Sequence, residues 1–96
     1  MAQEKASIYG IVIEQETGEP LVGVNIILKG TYYGVATDSK GNYRIDNISP
    51  GVYSVRVTMM GYKTKLFTGV KLEPGQDKKL DIALARTTLA AGQEIV

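Results

Sequence analysis

The chain has 96 residues, 22% of them charged, a formal net charge of +1, and neither cysteine nor histidine. That length supports one modest hydrophobic core, and the missing side chains exclude disulfides, thiolate and zinc–thiolate chemistry, and imidazole acid–base catalysis. The near-neutral, interspersed charges leave no footprint for nucleic acid or an anionic membrane surface.

Residues 1–6 are read as a disordered N-terminal arm. They lack the apolar stretch of a secretory leader, so an exported protein would carry its leader outside this sequence. No run approaches the roughly 18 apolar residues of a membrane-spanning helix. The first strand is predicted over Ser7–Gln15. Both of its alternating sets are apolar: Ile8, Gly10 and Val12 on one side, Tyr9, Ile11 and Ile13 on the other. A period of two therefore does not decide which set is buried. Glu16–Pro20 reads as a turn, with Gly18 suited to positive φ and Pro20 ending the ladder.

Gly23–Lys29 is the second predicted strand, with Val24, Ile26 and Leu28 inward and Asn25, Ile27 and Lys29 outward. Gly30–Tyr33 connects it to Gly34–Val57, which reads as three short strands and two tight turns, Asp38–Asn42 and Asn47–Gly51. Tyr43, Ile45, Tyr53, Val55 and Val57 take the apolar beat there; Arg44, Asp46, Ser54 and Arg56 take the polar one. Gly61 marks a bend or bulge, and Lys63–Leu72 is a further strand. Glu73–Gln76 has Pro74 and Gly75 where a type II turn wants them. Lys78–Arg86 closes the domain as one strand. No sustained helical periodicity occurs, so the reading is an all-β sandwich of seven strands over residues 7–86, followed by a linker or tail at 87–96.

Catalysis without His or Cys would fall to Asp, Glu, Lys or Tyr, and a glycosidase-like site would need two facing carboxylates. Glu14, Glu16, Glu19, Asp38, Asp46, Asp77 and Asp81 all fall in predicted turns or on outward beats, where a charge is solvated. Asp38–Asn42 has Lys40 where a calcium loop needs an oxygen ligand, so it reads as a hairpin turn. The glycines form no phosphate-cradling pattern before a helix. No metal or cofactor site is expected. Two binding features stand out. Tyr32 and Tyr33, in a loop, could stack on a sugar ring; the alternative is that one packs over the sandwich end and the other is merely exposed. If the first two strands pair, Ile11, Ile13 and Ile27 would form an outward apolar patch for a protein partner. The alternative there is that Tyr9, Ile11 and Ile13 are the core set.

The spaced elements Gly10-x-Val12, Thr17-Gly18-Glu19-Pro20-Leu21-x-Gly23-Val24, Thr37-Asp38-x-x-Gly41-x-Tyr43, Pro50-Gly51-x-Tyr53 and Gly61-Tyr62 resemble the carboxypeptidase regulatory-like domain. The resemblance runs from Ile8 to about Leu84. It implies a transthyretin-like (prealbumin-like) Greek-key β-sandwich with Ile8, Gly10 and Val12 facing the core, and a module that is not an enzyme. Such domains occur in secreted carboxypeptidases, in surface proteins and in Bacteroidetes-type outer-membrane receptors. In the receptors they form a periplasmic N-terminal extension ahead of the plug and barrel of a TonB-dependent transporter. The resemblance further implies that Glu94, Ile95 and Val96 open a TonB box, an extended segment that pairs by strand addition. The implied partners are the plug and barrel of the same chain and the TonB system, on the periplasmic side of the outer membrane, without insertion of this segment into the bilayer. The alternative is an accessory sandwich of a secreted carboxypeptidase or surface protein, with weak carbohydrate binding.

Overall fold

The computed structural model describes residues 4–87. The strands are β1 (Ala6–Glu14), β2 (Asn25–Leu28), β3 (Gly34–Ala36), β4 (Asn42–Ile48), β5 (Gly51–Thr58), β6 (Lys65–Leu72), β7 (Asp77–Lys79) and β8 (Ile82–Leu84). One sheet is mixed, with β1 between antiparallel β4 and the parallel pair β7 and β8. The other is antiparallel, in the order β3–β2–β5–β6. The result is an all-β sandwich.

The inner faces follow the apolar beat. Ile8, Val12, Ile45 and Ile82 meet Ile26, Leu28, Val55, Val57 and Leu72 in one buried cluster. Each such side chain, taken fully out of water, contributes about 1.5–3 kcal/mol. On β1 the ambiguity resolves in favour of Ala6, Ile8, Gly10, Val12 and Glu14 facing inward, with Tyr9, Ile11 and Ile13 half-buried on the outer side. Gly10 explains the choice: a Cβ there would run into the Leu80 carbonyl, so only a bare α-carbon fits on that face. Ala6, expected in the arm of residues 1–6, is instead buried as the first residue of β1.

The last predicted strand is broken in two. Leu80 N–H still donates to Tyr9 O at 2.8 Å, but Leu80 O turns toward Gly10 and accepts from the Tyr43 hydroxyl. The next acceptor for β1 is then a side chain, Asp81 Oδ1, which takes the Ile11 N–H at 3.1 Å. Backbone pairing resumes at Val12 and Ile82. The interruption at Leu80–Asp81 is the local cost of seating a carbonyl against Gly10.

The turns follow the chemistry of their residues. Asp38 Oδ1 accepts the N–H groups of Lys40 and Asn42, both at 2.9 Å, and Gly41 takes φ 79°. Gln76 N–H donates to Glu73 O at 3.0 Å with Gly75 at φ 73°. Buried Thr37 clips the β2 entrance to the chain after β3: its hydroxyl donates to Leu21 O at 2.6 Å and accepts from Val24 N–H at 2.9 Å. On edge strand β6, Gly69 at φ 68° sits where the register against β5 slips between Tyr53 and Val55, a bulge.

Candidate functional site

The outer face of the mixed sheet is polar at one end and apolar at the other. Tyr9 lies between Arg44 of β4 and Lys79 of β7. The Arg44 guanidinium stands 5.2 Å from the Tyr9 ring centre and pairs with Asp46 at 3.0 Å and Asp77 at 2.9 Å. Ser7 Oγ also donates to Asp46, at 2.9 Å. The bond to Asp77 is the main reason Arg44 holds its proton more tightly than usual. These groups are half-exposed, so solvent screens each pair and neither is a main support of the fold. Toward the other end, Ile11 stands opposite Asn42, and Ile13 opposite Ala83 and Pro20. A shallow hollow of about 290 Å³, lined by Tyr9, Gly10, Ile11, Asn42, Lys79 and Asp81, opens between the two ends.

Ile27 is not part of this face. β1 and β2 lie in different sheets, so the expected joint patch of Ile11, Ile13 and Ile27 does not form. The reason is topological: β1 takes β4, β7 and β8 as neighbours, and β2 takes β3 and β5. Ile27, 40% exposed, lies on the opposite outer face between Gly34 and Arg56, with Leu66, 49% exposed, on the far side of Arg56. Leu66 was missed in the sequence, although the alternation of β6 puts it on an outward beat.

Tyr32 and Tyr33 part company. Thr31 shapes their turn, its hydroxyl donating to Leu28 O at 2.7 Å and accepting from Tyr33 N–H at 3.0 Å. Tyr33 packs against the core, whereas Tyr32 is fully exposed. The loop therefore presents one open ring rather than a two-ring platform. Glu94, Ile95 and Val96 lie outside the described residues.

The most strongly organised polar cluster centres on Glu14, against the expectation that this carboxylate is solvated. Glu14 is buried, not solvated, because it continues the inward set of β1. Its Oε1 accepts from the Tyr62 hydroxyl at 3.0 Å and the Arg86 guanidinium at 3.0 Å. The Arg86 hydrogen bond holds the Glu14 carboxyl below the usual range; burial opposes this, and the Tyr62 bond adds to it. Tyr62 is pushed up, by burial first and then by its bond to Glu14. Tyr62 and Arg86 also pair through their backbones, flanked by Lys63 N–H to Ala85 O at 2.8 Å and Thr87 N–H to Gly61 O at 3.1 Å. With both donors on one oxygen, this carboxylate is a structural tie. Among the described residues no three His, Cys, Asp or Glu side chains gather as a metal site.

The profile of the carboxypeptidase regulatory-like domain matches residues 7–85. Over 45 residues the chain is 51% identical to a TonB-dependent receptor of Formosa agariphila, covering 47% of this chain and 4% of that protein. Over 98 residues it is 28% identical to the TonB-dependent transporter Oar of Myxococcus xanthus, covering 97% of this chain and 9% of that one. The chain thus spans less than a tenth of either relative. A solved type II cohesin–X-dockerin complex from Acetivibrio cellulolyticus contains a similar sandwich: TM-score 0.66, 22% identity, 80% of this chain and 52% of that one. That likeness is one of fold. The matched span takes in every strand from Ser7 of β1 to the end of β8, and the chain belongs to the carboxypeptidase regulatory-like domain family, as a non-catalytic, transthyretin-like β-sandwich homologous to parts of TonB-dependent receptors.

Proposed function

We propose that this chain is the periplasmic N-terminal accessory domain of a TonB-dependent outer-membrane transporter, and that it acts by docking protein or regulating uptake. The observation that carries this reading is the alignment of 97% of the chain with a TonB-dependent transporter. A rigid sandwich with two dissimilar outer faces suits such a role. One face offers Ile11 and Ile13 beside a charged lattice; the other offers Ile27 and Leu66 flanking Arg56. The segment containing Glu94, Ile95 and Val96 would engage its partner by strand addition.

Deleting residues 7–86 from the full-length transporter tests the reading. Loss of uptake with the barrel still assembled in the outer membrane is the expected result. Unchanged uptake would remove docking and regulation together. Ile13→Asp and Ile27→Asp, each in the full-length protein, then assign the effect to one face or the other.

A further inference from the structure

We propose that the domain bears tension between the polypeptide that enters at β1 and the polypeptide that leaves after Arg86, a role that stands apart from the transporter reading. The first and last strands of the described fold are neighbours and run parallel. Two parallel neighbours put the chain's entry at one pole of the sandwich and its exit at the opposite pole. A pull on the two ends is then directed along the strands, while the hydrogen bonds between them lie across it. Such bonds share the load and break together. Strands joined the other way round would leave from one pole and peel apart bond by bond.

Four hydrogen bonds stitch β1 to the closing segment along its length. Ser7 N–H donates to Gln76 O at 2.8 Å, Tyr9 O accepts from Leu80 N–H at 2.8 Å, Ile11 N–H donates to Asp81 Oδ1 at 3.1 Å, and Gln15 N–H donates to Leu84 O at 2.9 Å. Between the last two, the ladder pairs Val12, Ile13 and Glu14 with Ile82, Ala83 and Leu84. On its other side β1 is held by β4 from Ala6 to Ile11. The exit pole is tied separately. Glu14 grips Arg86 and Tyr62, and residues 85–87 run antiparallel against residues 61–63.

Gly10 adds a catch. A pull on the entry end draws β1 toward its N-terminus. A slip of two residues, the shortest that keeps the inner face inward, would bring Val12 to the space beside the Leu80 carbonyl. That space has no room even for a Cβ. Sliding therefore needs β7 and β8 to lift off first.

Single-molecule pulling on the 96-residue chain tests this, and the absence of native cysteine makes handle placement simple. Lys5→Cys with Thr87→Cys loads the strands lengthwise. Lys5→Cys with Glu73→Cys, both at the entry pole beside the Ser7–Gln76 bond, peels them. The expected unfolding force is several-fold higher in the first geometry; equal or lower force there overturns the proposal. Arg86→Ala should reduce the lengthwise force and leave the peeling force unchanged. Leu28→Ala, in the other sheet, should reduce the lengthwise force less than Arg86→Ala while lowering equilibrium stability more, because forced unfolding follows the unfolding rate rather than the equilibrium. Losses of force that simply track losses of equilibrium stability would also overturn it.

Discussion

The hydroxyl of Tyr43 donates to the carbonyl oxygen of Leu80, passing over the bare α-carbon of Gly10, which pairs with Tyr43 across the β1–β4 ladder. Gly10→Ala places a methyl in that path. The closing segment must move outward or the Tyr43 bond must break, and the expected loss is about 1–3 kcal/mol. Tyr43→Phe leaves the Leu80 carbonyl without its donor, at a similar cost of about 1–3 kcal/mol. Both changes act on one carbonyl, so the double variant should lose less than the sum. Urea denaturation reads this as lowered midpoints at constant slope. Burial first, and the Asp81 charge second, push the Tyr43 phenol above its ordinary 10.0. Its stabilising contribution is full below that value and is lost as the pH rises through the folded one.

Acid acts at the other pole. Arg86 lowers the folded carboxyl of Glu14 below its ordinary 4.5. The ionised form is thus favoured in the fold, and its contribution is present above 4.5 and lost as the pH falls through the folded value. Stability measured from pH 6 down to pH 3 should decline across that window. In Glu14→Gln the decline should flatten and stability at neutral pH should fall, because the Arg86 guanidinium loses its charged partner. An unchanged slope would place the acid sensitivity on other carboxylates.

Strand β2 offers a test of facing. Leu28 is wholly buried and Ile27 is 40% exposed, one residue apart. Leu28→Ala should cost about 2–5 kcal/mol. Ile27→Ala should stay within about 0.5 kcal/mol, as surface substitutions do. Equal losses would mean that the outer face of the second sheet is covered in solution.

Much of the fold was legible because its causes are local. The alternation in β2 and β5, the Asp38–Gly41 turn and the Pro74–Gly75 turn each depend on residues within a few positions of one another. What escaped the sequence depends on partners far along the chain. Glu14 looks like a solvated residue before a turn until Tyr62 and Arg86, 48 and 72 positions away, are seen beside it. The split of the last strand reflects Gly10, as the bond from Ile11 N–H to Asp81, 70 positions apart, makes plain. The facing of β1 had the same root: both sets were apolar, and only the Leu80 carbonyl distinguishes Gly10 from its neighbours. Ile27 was correctly read as outward, but which sheet it belongs to is a matter of topology that periodicity does not carry.

The bulge on β6 bears on how these molecules behave in each other's company. β6 is an eight-residue edge strand, long enough to recruit a strand from a neighbouring molecule and begin a shared ribbon. Gly69 interrupts its regular hydrogen-bonding rim where the register against β5 slips. A second β6 brought alongside would meet the same kink. The bulge therefore blunts this edge as a template for a strand from a neighbouring copy.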